Sequence, residues 1–165
     1  MMKKIRLFFI LLVLVLLGTV HVKAQHTGSY QCTKIVEANG IMKKGDAPHI
    51  WYFTFNQKVV YESDQYGNAT QGGQMYAYFF VGRQGDMMIF ERRSLLDHSN
   101  PFIVNMENVL SNYTGIKSTR MLVSNDYKTL NICHYDANNK LVRTRVYNYV
   151  DPQKPGAVEI PDLIR

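Results

Sequence analysis

Cysteine, proline, tryptophan and long apolar runs are all scarce in this 165-residue chain, and each scarcity removes a class of protein. Two cysteines, Cys32 and Cys133, cannot knit a disulfide scaffold. Without histidine partners at ligand spacing they cannot hold a structural zinc, and they lack the close spacing of a redox pair. Beyond the N-terminal segment, no apolar stretch approaches the roughly 20 residues that a spanning helix needs. No 3.6-period pattern of about ten residues or more marks an amphipathic helix there, which excludes a helical bundle. Acidic residues number 13 against 19 basic ones, but the basic residues are scattered rather than clustered, so a nucleic-acid partner is not expected.

What is present begins with Lys3, Lys4 and Arg6, followed by an unbroken apolar run over residues 7–17. Gly18 and Thr19 loosen the run, and Val22-Lys23-Ala24 offers a signal peptidase a small or short-branched residue at both positions it reads. Residues 1–24 therefore read as a secretory signal peptide cut between Ala24 and Gln25, with an uncleaved anchor as the alternative. No cysteine follows the cut, which argues against a lipoprotein anchor. Lys3, Lys4, Arg6 and Lys23 are four of the 19 basic residues, and the segment holds no acidic one, so the net charge falls from +6 to +2 on cleavage. The expected location is exported: periplasmic, outer-surface or extracellular, with no transmembrane span after cleavage.

The remainder reads as one domain over residues 25–150 and an extended tail over 151–165, where Pro152, Pro155 and Pro161 fall. Period-2 alternation rich in β-branched and aromatic residues predicts strands over 29–36, 49–55, 58–63, 74–81, 87–94, 116–124, 129–135 and 141–150. Residues 37–48 and 64–73 read as loops, 102–104 as a short strand or edge, and 107–113 as one or two helical turns. Eight strands at hairpin spacing suggest an all-β, antiparallel up-and-down barrel, with a β-sandwich as the alternative; closure favours the barrel because it removes exposed edges. In the last hairpin, a five-residue loop sets Leu130, Ile132 and His134 opposite Val142, Thr144 and Val146, and turns Arg143 and Arg145 to the other face. Cys32 and Cys133 are open to two readings, one bridge formed in an oxidising compartment or two small buried residues that never meet.

Catalytic patterns are wanting. Asp97-His98-Ser99 holds the residue types of a triad, but consecutive residues cannot adopt its geometry. There is no nucleophile elbow, P-loop or zincin motif. His26, His49, His98 and His134 stand alone in sequence, so no metal and no cofactor is expected. Asn68-Ala69-Thr70 and Asn112-Tyr113-Thr114 match the glycosylation sequon and read as chance matches. The protein is expected not to be an enzyme. Two features remain. Trp51, Phe53 and Phe55 share one strand face, and Tyr76, Tyr78 and Phe80 share another, making these six the candidate ligand-lining residues. Arg143 and Arg145, with Arg92 and Arg93 as neighbours, read either as a solvated outer face or as an anion patch for a carboxylate or phosphate.

Gly28-Ser29-Tyr30 is similar to the Gly-x-aromatic opening of lipocalin-type barrels, with Tyr30 where the usual residue is Trp. The hairpin Val123-Ser124-Asn125-Asp126-Tyr127-Lys128-Thr129-Leu130-Asn131-Ile132 resembles one in secreted lipocalin-like β-barrel modules of Bacteroidota. The resemblance implies binding of a small apolar or amphipathic molecule. The reading is therefore an exported, non-catalytic ligand-binding barrel. The alternative is an envelope or surface protein-interaction module with a filled core, whose partner is an envelope protein.

Overall fold

The computed structural model describes residues 25–46, 49–56 and 58–151. The expected signal peptide, and all of the expected tail but Asp151, lie outside these residues. Among the described residues the chain forms nine strands, eight of which wall a barrel with alternate side chains turned inward while the short strand Met42–Lys44 is exposed throughout. They are β1 (His26–Glu37), β2 (Met42–Lys44), β3 (Ile50–Asn56), β4 (Val59–Ser63), β5 (Tyr76–Gln84), β6 (Met87–Ser94), β7 (Ser118–Ser124), β8 (Thr129–Tyr135) and β9 (Leu141–Tyr149). Two helices interrupt them, α1 (Gln71–Met75) between β4 and β5, and α2 (Pro101–Thr114) between β6 and β7.

All pairings are antiparallel, and each strand from β3 to β8 pairs with the next along the chain. β1 pairs with β3 through residues 26–31 and with β9 through residues 30–37, closing an eight-stranded barrel. The 12 residues of β1 serve both partners by bending at a bulge between Cys32 and Lys34. β2 is the additional strand, and it pairs with residues 34–36 of β1 beyond the point where β3 has left it.

The two ends of the barrel differ. One end carries the hairpin turns β3–β4, β5–β6 and β7–β8, together with the start of β1 and the end of β9. It is filled with fully buried side chains, among them Tyr30, Val60, Met121, Val123, Leu130 and Tyr147, with Phe53, Phe55 and Phe90 nearly so. Each such burial stabilises the fold by about 1.5–3 kcal/mol. Tyr30 Oη donates to the Tyr127 carbonyl at 2.8 Å; the His26 and Phe55 rings stack, and Tyr127 meets both edge-on. The opposite end is the mouth, bordered by α1, α2 and the segment after β2. Gly45 there lies against the Cys32 backbone; any Cβ would collide with the Cys32 carbonyl, so only glycine lets the segment cross so closely.

Four local expectations are corrected. The predicted 37–48 loop contains β2, and the predicted 64–73 loop ends in α1, which also takes Gln74 and Met75 from the predicted strand 74–81. Residues 102–104 are not a strand but the first turn of α2, which runs well past the predicted turns at 107–113. Asn100 starts this helix by accepting from the Phe102 amide at 3.0 Å, Pro101 follows the cap, and Gly115 ends it at φ 68°. The last hairpin is the fourth. Tyr135 pairs with Leu141, as the predicted register requires, but a bulge between His134 and Tyr135 shifts every later pair by one residue. His134 then meets Arg143, Ile132 meets Arg145 and Leu130 meets Tyr147. A slip of one residue exchanges the faces of a strand. Arg143 and Arg145 therefore point into the barrel.

Candidate functional site

Inward-facing residues at the mouth come from every side of the wall. β6 continues its buried series Met88, Phe90 with Arg92 and Ser94, and β7 continues Val123, Met121 with Thr119. β8 contributes His134, β9 contributes Arg143 and Arg145, and β5 contributes Tyr76 and Tyr78, the latter paired with Arg92. Ile35, Trp51, Tyr78 and Phe80 pack against the outer layer of the core and mark the level at which the apolar filling gives way to polar groups.

His134 shares a 3.1 Å hydrogen bond with Thr119 Oγ1 through its Nδ1. Burial, reinforced by the guanidiniums of Arg92, Arg145 and Arg143, pushes its imidazole down to about 4. The ring is neutral at pH 7. Burial likewise pushes the Tyr78 phenol up to about 12, with Arg92 opposing. Tyr147 is raised too, again first by burial. Arg143 Nε donates to Glu37 at 3.1 Å, and Lys43 approaches the same carboxylate at 3.2 Å, holding Glu37 below the usual carboxylate range. Trp51 Nε1 donates to Asp46 at 3.2 Å, fastening the segment after β2 across the mouth.

α2 roofs one side of this opening. Glu107 accepts from Ser94 Oγ at 2.7 Å and pairs with His98 Nε2 at 2.7 Å. The Ser94 bond, then that of His98, holds Glu107 below its ordinary value. The carboxylate stands between serine and histidine and clamps the helix, so this trio lacks the nucleophile-to-base contact that acyl transfer requires. Between helix and wall lies a cleft of about 350 Å³, with Tyr76, Arg92, Thr119 and His134 on the barrel side and Leu110 and Ser111 on the helix side. A second depression of about 390 Å³ lies at the rim beside Trp51, Glu62 and Tyr66. Among the described residues, no three His, Cys, Asp or Glu side chains converge as a metal site would require.

All six candidate lining residues face inward, but they divide by depth. Phe53 and Phe55 belong to the filled core; Trp51, Tyr76, Tyr78 and Phe80 are less buried, with Trp51 at the rim and Tyr76 in the cleft wall. Arg143 and Arg145 are brought together as expected, on the inner face rather than the outer one. Cys32 and Cys133 are free: Cys32 points inward beside Tyr147, whereas Cys133 lies on the outer face of β8. Sequence reasoning missed Glu107 as the clamp of α2; it set His134 on the face of Leu130 and Ile132 without a role, and named Arg92 only as a neighbour of the arginine pair. The even-numbered run Met88, Phe90, Arg92 carried the signal that would have placed Arg92 inside.

Fold and site together define a closed antiparallel barrel with one filled end and one basic, helix-roofed mouth. Compared with protein-family models, with curated proteins and with solved structures, the chain matches none.

Proposed function

We propose that this protein is an exported, non-catalytic barrel of lipocalin-like type that binds a small amphipathic molecule at its mouth. The carrying observation is the asymmetry of the interior. Apolar side chains fill one half, while the other opens into a roofed cleft of about 350 Å³ whose walls combine tyrosine, arginine and histidine. Sites of this kind bury an apolar body and fix it with a few polar groups.

Trp51, the sole tryptophan of the chain, lines the neighbouring rim depression rather than the cleft, so the emission of the ligand itself is the readout. Titration with N-phenyl-1-naphthylamine, a neutral amphipathic dye, is expected to enhance dye fluorescence saturably. Tyr78→Ala is expected to weaken binding at least about tenfold, the loss of one aromatic contact and its burial. Phe53→Ala is the wrong probe, because it empties a filled core and costs about 3–5 kcal/mol of stability. Absence of any saturable dye signal sinks the ligand-binding reading.

A second reading, the interaction module, is favoured by α2. The helix buries no residue and leaves Phe102 71 % and Tyr113 89 % exposed, with Val109 and Leu110 between them. It gains if dye binding is absent and Phe102→Ser with Tyr113→Ser abolishes capture of an envelope protein.

A further inference from the structure

The mouth holds three guanidiniums, and among the described residues only one of them is ion-paired. Arg143 has Glu37. Arg92 lies over the Tyr76 ring at 4.8 Å, and neither it nor Arg145 has a carboxylate within ion-pair distance among the described residues. The acids nearby have other partners: Asp46 bonds Trp51, Glu62 bonds Thr70 Oγ1 at 2.8 Å, Glu91 pairs with Arg120 at 3.7 Å, and Glu107 bonds Ser94 and His98. Arg145 Nε is shut off from solvent and has no hydrogen-bond partner among the described residues, while the rest of its guanidinium meets the Tyr147 hydroxyl and the more distant Asp46 charge. A guanidinium cannot shed its proton to escape this, and a buried donor left unmatched costs about 1–3 kcal/mol, more when it is charged. His134, in the same cluster, adds no competing negative charge.

We propose that Arg92, Arg143 and Arg145 form the headgroup site for an anionic amphiphile, a carboxylate or phosphate carried on an apolar body. This deepens the ligand-binding reading and rests on it. Two strands supply the arginines from either side of the mouth, β6 and β9, so one anion placed between them meets donors from both. Guanidinium forks suit either oxyanion, because two parallel N–H groups match two oxygens. The filled floor fixes the orientation. The head lies inward on the arginines and the body runs outward beneath α2, where Leu110 and Ile116 line the cleft.

The test is isothermal titration calorimetry of the full mature chain at pH 7 with dodecanoate, dodecyl phosphate and 1-dodecanol, which share one body and differ in the head. At least one of the two anions is expected to bind about tenfold or more tighter than the alcohol, the scale of one charged hydrogen bond. The preferred anion identifies the source chemistry, fatty-acid-like or phospholipid-like. Arg145→Met is expected to remove that preference without weakening dodecanol, Arg145→Lys to restore part of it, and Arg120→Met, on the outer face of β7, to change nothing. Equal binding of all three by the wild type overturns the headgroup site while leaving the barrel reading standing, and needs no variant to fold. An unchanged anion preference in a folded Arg145→Met protein also overturns it. Failure of dodecanol, both anions and the neutral dye together removes the ligand-binding reading itself.

Discussion

His134 shows how a single side chain ties stability to pH. Its folded value of about 4 lies below the ordinary histidine value of 6.5, so on acidification the unfolded chain takes up the proton first. The stability present above pH 6.5 is lost as pH falls toward 4, and no more is lost from this group below that. Discounted for the partial exposure of the ring, the loss is expected to be about 2 kcal/mol. Urea unfolding at pH 7 and pH 4.5 checks it: His134→Gln should lose less stability across that interval than the wild type, the difference being the share of this residue. Equal losses would mean that the carboxylates titrating in the same window carry the whole effect. The arginines around His134 sharpen the result, since a protonated ring there would be a fourth positive charge in one pocket.

At the scale of elements, α2 is held by its ends and by one carboxylate rather than by packing. Glu107→Ala removes the bonds to Ser94 and His98 at once. Chymotrypsin is then expected to cut faster at Phe102 or Tyr113, while global stability falls by no more than about 1 kcal/mol, because the helix buries no residue. A large global loss would show that the helix is part of the core. The same weak packing explains why the helix was only half legible in the sequence. Its residues form no single buried stripe, so the 3.6-residue signal is diluted, and Phe102-Ile103-Val104 alone looks like a strand. Strands whose inner faces are filled were legible, β3 and β5 above all, because their alternation is enforced by burial. The inner placement of Arg143 and Arg145 was not. It depends on the bulge at His134, and a bulge leaves no compositional mark in a loop as ordinary as Asp136-Ala137-Asn138-Asn139-Lys140. Half of the site, its aromatic wall, could therefore be read in advance; its charged half waited on register.

For the whole molecule, closure rests on pairing the first strand with the last, Tyr30 with Tyr149, across most of the described chain. Contacts so distant in sequence form late and slowly, so folding in milliseconds to seconds is the expectation for such a barrel. No cross-link assists it, since Cys32 and Cys133 lie on opposite faces of the wall, and burial raises both thiols. Neither should react with Ellman's reagent in the native state, both should react in denaturant, and the melting temperature should not change on adding reductant. A drop in melting temperature under reductant would mean that a bridge exists in solution.

The chain enters β1 and leaves β9 at the same pole of the barrel, where Ser29 Oγ donates to the Val150 carbonyl. That pole is the plugged one. A passenger grafted directly onto Gln25 or directly onto Asp151 would therefore start beneath the plug, on the far side of the barrel from the aperture. Anchored at either of those two residues, the barrel would face the surrounding fluid with its open end, like an upright cup.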